Sequence, residues 1–151
     1  MSEHTATVTW ERGGAKFTDN RYSRAHRWVF DGGATVPASS SPLAVPAPLS
    51  EPANVDPEEA FLASISSCHM LWFLSIAAKR GFVIDAYTDR PVATLERVAE
   101  GRVAITRATL RPEIRFAGAE TPTAAQIREM HDEAHHKCFI ANSVRTEITV
   151  E

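Results

Sequence analysis

Cys68 and Cys138 are the only cysteines in this 151-residue chain. A pair of thiols can do one of three things: pack as small hydrophobes, hold a metal, or carry redox chemistry. Two cysteines do not make a disulfide framework, so the choice lies between buried side chains and a reactive pair. Cys68 is flanked by Ser66, Ser67 and His69, a mixed setting for a residue that otherwise falls on an apolar helical stripe. An apolar burial site would raise its pKa and leave it inert. Cys138 follows His135, His136 and Lys137, surroundings expected to be polar, cationic where the imidazoles are protonated, and favourable to a thiolate. His135-His136-x-Cys138 with a distant Cys68 lacks the paired C-x-x-C or H-x-x-x-H spacing of a zinc site, so no metal is expected. His69 is a tempting base, but adjacent helical residues point about 100° apart, so it is expected to face a neighbouring element. His26 and His131 are assigned surface or packing roles.

The element that must position Cys68 is the clearest in the chain. Asp56 suits an N-cap, Pro57 the first helical position, and Glu59 completes a D-x-x-E capping box. Phe61, Ile65, Cys68, Trp72 and Ile76 recur at steps of three and four, Leu62 and Phe73 widen the stripe, and Lys79-Arg80-Gly81 closes the helix. The spacing predicts a cysteine helix over 56–81. Phe61, Ile65 and Trp72, with His69, could also wall an apolar pocket.

Around this helix, His4–Trp10 and His26–Phe30 read as strands within residues 1–33. Pro37, Pro42, Pro46, Pro48 and Pro52 make 34–55 a loop. Residues 92–115 read as a β-hairpin turning at Glu100-Gly101, with Pro112 marking an edge or an ending. A second helix begins at Thr121-Pro122 and runs to about Lys137 within a region 121–144, and 146–150 alternates as a terminal strand. The order strand, long helix, hairpin, helix, strand is α+β, and the whole of 1–151 is expected to form a single domain.

Composition narrows the functional classes. Sixteen basic against 19 acidic side chains leave a formal charge of −3, with no basic run or basic-aromatic stripe to track phosphates, so no nucleic-acid partner is expected. No leader-like segment is visible, and the longest apolar stretch is interrupted at Cys68-His69, Ser75 and Lys79-Arg80, so the expected location is cytoplasmic, without a membrane.

Asp56-Pro57-Glu58-Glu59-Ala60-Phe61-Leu62-Ala63 running into Ser66-Ser67-Cys68-His69-Met70-Leu71 resembles the central-helix motif of the OsmC/Ohr family, the osmotically inducible and organic hydroperoxide resistance proteins. Ala134-His135-His136-Lys137-Cys138-Phe139-Ile140-Ala141-Asn142-Ser143-Val144 resembles the segment carrying that family's second cysteine. The order and spacing of the remaining elements agree along nearly the whole chain.

The resemblance implies an intertwined homodimer in which two long helices are wrapped by antiparallel β-sheets, with active sites at the interface. It implies a peroxidase that reduces hydroperoxides, organic ones especially, in oxidative or osmotic stress defence. Cys68 matches the peroxidatic cysteine, which becomes a sulfenic acid, and Cys138 the partner that captures it as an intrasubunit disulfide. No bound cofactor is implied; an external dithiol, lipoyl-protein-like in the best-known branch, restores the thiols. Glu58 matches the glutamate that the family pairs with a catalytic arginine, and Arg24, between the first two strands, is the counterpart chosen for that arginine over Arg21. His69 and Phe139 stand where the branch specialised on organic hydroperoxides carries phenylalanine and proline, so the chain resembles an OsmC-like side branch. A reading of another class stays open beside it: a redox-inert or sensing protein that binds a small apolar ligand or a partner at the dimer groove.

Overall fold

Asp56 and Glu59 start the long helix as their spacing dictates. In the computed structural model, which describes all 151 residues, the Glu59 N–H donates to Asp56 Oδ1 at 2.8 Å and the Asp56 N–H to Glu59 Oε2 at 3.1 Å. This reciprocal box satisfies two N–H groups that a helix start otherwise leaves unpaired. The helix, α1, spans Pro57–Lys79. It ends two residues short of the expected boundary because Gly81, at φ +82°, takes the left-handed position of a closing motif. Phe82 N–H bonds to Ala77 O at 3.0 Å and Gly81 N–H to Ala78 O at 3.1 Å, the two bonds that close a helix in this way. Asp56→Ala is expected to destabilise the protein by about 1 kcal/mol, and Asp56→Asn, which keeps an acceptor, by well under half of that. The shift in urea midpoint measures both.

The chain divides into two compact units, Met1–Ala60 and Phe61–Glu151. The first unit holds β1 (Ala6–Thr9), β2 (His26–Phe30) and β3 (Thr35–Ala38) in an antiparallel sheet of order β1-β2-β3. Val8 pairs with Trp28 and Trp28 with Val36. β3 corrects the reading of 34–55 as loop throughout. Pro37 is tolerated because β3 is an edge strand, where a missing N–H breaks no central ladder, and the Pro37 carbonyl still accepts from Val55 N–H at 3.1 Å. Between β1 and β2, Phe17 stacks on Tyr22 with centroids 4.7 Å apart, and Trp10 meets Tyr22 edge-on at 5.3 Å.

The second unit carries most of α1, then β4 (Val83–Asp89), β5 (Val92–Arg97), β6 (Val103–Leu110), β7 (Pro112–Ala117), α2 (Ala124–Lys137) and β8 (Glu147–Val150). β5 and β6 form the expected hairpin, its turn made by Glu100 and Gly101, both at positive φ. Residues 112–117 do not extend that hairpin. Pro112 opens β7, which pairs antiparallel with β4, a strand absent from the sequence reading, while β8 adds to β6 in parallel. α2 begins at Ala124 rather than at Thr121-Pro122, because Thr123 is the N-cap of a second reciprocal box with Gln126.

α1 is apolar around much of its circumference, and by length and composition alone it could cross a membrane. Here it is a core helix. Ile65 packs with Ala108 and Leu110 of β6, and Phe73, Ile76 and Ala77 pack with Met130 and Ala134 of α2. The buried line therefore runs through Ile65, His69, Phe73 and Ile76, not through Cys68 and Trp72 as the stripe predicted. A turn of one residue, about 100°, moves Cys68 from the core to its flank.

Candidate functional site: a thiol pair beside an apolar pocket

Cys68 is half-buried on that flank. It lines a pocket of about 510 Å³ whose helical wall is Ser64, Ser67, Leu71, Trp72 and Ser75. Phe139 and Ile140, which follow Cys138, form the facing wall. Trp72 and Phe139 meet edge to face with centroids 5.7 Å apart. Leu71 and Phe139 remain exposed at the rim, 62% and 70% respectively.

Cys138 is the C-cap of α2 and is buried, 1% exposed. Its backbone is tied on both sides: its N–H donates to His135 O at 3.3 Å, and its carbonyl accepts from Asn142 N–H at 3.0 Å. The sulfur accepts the Ala141 N–H at 3.3 Å. Burial, a hydrogen bond with the Cys68 thiol and the nearness of that second sulfur push the Cys138 thiol up to about 11, against an opposing pull from the Ala141 and Ile140 amides. This corrects the expectation of a cationic, thiolate-favouring setting. His136 and Lys137 are exposed, and the Lys137 ammonium is held by Glu133 Oε1 at 2.5 Å. Cys138 thus keeps its proton at neutral pH, while the thiol that adjoins it opens onto the pocket. The arrangement suits one accessible nucleophile and one protonated partner.

The other residues singled out in the sequence are dispersed. Trp72 lines the Cys68 pocket. Phe61 lines a separate groove of about 690 Å³ with Arg102, Val103 and Arg145. Ile65 is fully buried. His69 points away from the pocket and is 1% exposed; its Nε2 is 2.9 Å from Nδ1 of His131, and the two rings stack at 5.2 Å and 13°. Arg24, in the first unit, directs its guanidinium into its own loop. Nη1 donates to the carbonyls of Asn20 and Tyr22, Nη2 to Asn20 Oδ1 at 2.8 Å, and the group lies 3.8 Å above the Tyr22 ring. Glu58 and Arg21 are exposed and take part in no ion pair. No group of three or more His, Cys, Asp or Glu side chains converges as metal ligands.

The model for OsmC-like proteins matches residues 50–151. The chain belongs to the OsmC-like family. It is similar over its full length to an OsmC-like protein of unknown function from Vibrio cholerae, at 55% identity, 99% coverage of that chain and a TM-score of 0.98. The same fold, at 22% identity and a TM-score of 0.68, occurs in an organic hydroperoxide resistance protein of Bacillus subtilis, with 97% of this chain and 96% of that one covered. A Legionella pneumophila structure described as an organic hydroperoxide resistance protein OsmC shares it at 15% identity and a TM-score of 0.70, covering 100% and 98% of the two chains. A comparison with curated proteins found no match.

Several pocket residues of this OsmC-like protein escaped the sequence reading. Ser64, Leu71 and Ser75 lie four before and three and seven after Cys68, which is one helical face, so the signal was present in the spacing. Phe139 and Ile140 reach the pocket through a turn after α2, and no periodicity announces them.

Proposed function

We propose that this OsmC-like protein is a cysteine-based peroxidase that reduces organic hydroperoxides. The observation that carries the reading is the juxtaposition of two free thiols beside an apolar pocket, one thiol open to that pocket and the other buried and protonated. The Cys68 thiolate attacks the terminal oxygen of the hydroperoxide. The O–O bond breaks, the alcohol leaves after taking up a proton, and Cys68 becomes a sulfenic acid. Cys138 then attacks that sulfur: the S–O bond breaks, an S–S bond forms, and water leaves with the Cys138 proton. An external dithiol, lipoyl-like in type, reduces the disulfide by exchange.

Trp72 and its apolar neighbours would receive the organic part of the substrate, since such walls favour carbon chains over water. Arg24 is proposed as the cation that stabilises the thiolate and the departing oxygen, and Glu58 as the carboxylate that would hold it once the guanidinium exchanges its Asn20 and Tyr22 partners. Its Nε–H and one Nη2 hydrogen have no partner within its loop, which supports that assignment. We also propose that two copies assemble as an intertwined homodimer, because exposed Leu71 and Phe139 leave an apolar rim beside Cys68 that a second copy would cover. A cytoplasmic setting, in which thiols are kept reduced, suits this cycle.

Reduced protein mixed with one equivalent of tert-butyl hydroperoxide should lose both thiols and yield a Cys68–Cys138 disulfide by peptide mass mapping. If both thiols stay titratable under that treatment, the peroxidase reading fails, and a redox-inert protein that binds an apolar ligand replaces it.

A further inference from the structure

We infer that Trp72 is a positioning residue for the disulfide step, the surface on which the Cys138 segment is docked against Cys68. The inference rests on the two-cysteine cycle proposed above and concerns what makes its second half fast.

Trp72 lies one helical turn beyond Cys68, on the same face of α1. Its ring is touched by both immediate neighbours of Cys138. The Phe139 ring meets it at 5.7 Å and 87°, and the Lys137 ammonium lies 5.7 Å from its centroid. An edge-on aromatic contact and a cation over the π face are both attractive and directional. Phe139 is largely exposed, so burial in the core does not hold it in place. Lys137 is fixed at its other side by Glu133, whose second carboxylate oxygen takes Arg80 Nη2 at 3.0 Å. Arg80 follows the last residue of α1, so the contacts run from α1 through Arg80, Glu133 and Lys137 and return to α1 at Trp72.

The chemistry explains why docking should matter here. Cys138 is a weakly acidic thiol at the C-terminal end of α2, and it must lose its proton as it attacks the Cys68 sulfenic acid. With so little thiolate present, the rate depends on how continuously the two sulfurs are held together. A Cys138 segment free to lift away leaves the sulfenic acid exposed to a second hydroperoxide, which oxidises it to the sulfinic acid.

The test uses the full chain with Trp72→Leu, Trp72→Phe and Phe139→Ala. Sulfenic acid is trapped with dimedone and the disulfide is followed separately, after mixing with tert-butyl hydroperoxide. Trp72→Leu, which keeps apolar bulk without a π face, should slow the disulfide step about tenfold, by a larger factor than the sulfenic-acid step, with sulfinic Cys68 accumulating in excess peroxide. Trp72→Phe should restore the disulfide step to within about threefold of wild type. Phe139→Ala removes a ring that lies outside the core of the chain, so each protomer keeps its fold, and with an unchanged oligomeric state by gel filtration it should slow the same step. Equal factors on both steps, or an unchanged disulfide step in both Trp72→Leu and Phe139→Ala, would overturn the inference. Diamide, which joins two thiols without passing through a sulfenic acid, separates the two levels of the argument. If the wild type ignores hydroperoxide yet diamide closes the disulfide more slowly in Trp72→Leu, the peroxidase reading falls and the positioning role stands. Diamide closure at the wild-type rate in that variant overturns the positioning role.

Discussion

Cys68→Ser is expected to abolish hydroperoxide consumption, a loss of at least about a thousandfold, since removing a nucleophile removes the reaction path and leaves only binding. The second thiol does not rescue it. With its pKa pushed up to about 11, Cys138 is ionised to only about one part in ten thousand at pH 7, and at 1% exposure it offers the peroxide no approach. Cys138→Ser gives a different defect. The first equivalent of hydroperoxide should still be consumed and leave a trappable Cys68 sulfenic acid, but no intrachain disulfide forms and continued peroxide drives the residue to the sulfinic acid. Consumption assayed over many turnovers with dithiothreitol, alongside single-turnover trapping, distinguishes the two variants. Substantial turnover by Cys68→Ser, or a first equivalent left unconsumed by Cys138→Ser, would contradict the assigned order of the two sulfurs.

That order was only half legible in the sequence. The start of α1 was readable because Asp56, Pro57 and Glu59 act within one turn, and its end because Gly81 does. Local hydrogen bonds of this kind are written in neighbouring residues. The buried face of α1 was misread by one residue because apolar side chains surround the helix, so Cys68 and Trp72 looked as core-facing as Phe73. Only the sheets and α2, through Ala108, Leu110 and Met130, decide which line is covered. β4 escaped because its alternation is broken by a bulge between Ile84 and Ala86. The parallel pairing of β8 with β6 depends on partners about forty residues apart, such as Ala108 and Ile148. The protonated state of Cys138 was misjudged for a related reason. His136 and Lys137 are neighbours in sequence, but at the end of α2 they turn to solvent while the sulfur turns inward, and desolvation outweighs nearby charges that point elsewhere.

The contact least legible in the sequence, His69 with His131, should dominate the acid stability of the fold. His69 is lowered from 6.5 to about 4, first by burial and then by the neighbouring His131 and His135, with Asp89 pulling the other way. His131 is lowered too, by burial, against Asp132 and Asp89. Phe73 packs on the His131 ring at 4.3 Å, so no water replaces the lost hydration on that side. One ring nitrogen must donate and the other accept across the 2.9 Å contact; protonating the acceptor turns the bond into two opposed N–H groups. The native state therefore binds fewer protons than the unfolded chain between about pH 6.5 and about pH 4, and stability falls as pH falls through that window. A depression of this size corresponds to about 3 kcal/mol for His69 fully developed near pH 4, and to almost nothing above pH 7. Carboxylates such as Glu133, lowered by its bonds to Lys137 and Arg80, lose their own contribution at lower pH, so the decisive quantity is a difference between variants. His69→Gln keeps a polar group facing His131 but does not titrate. Its urea midpoint should decline between pH 6.5 and 4.5 with much less than half the wild-type slope. Parallel slopes for the two proteins would show that the pair takes no proton in this range and that the acid sensitivity lies elsewhere.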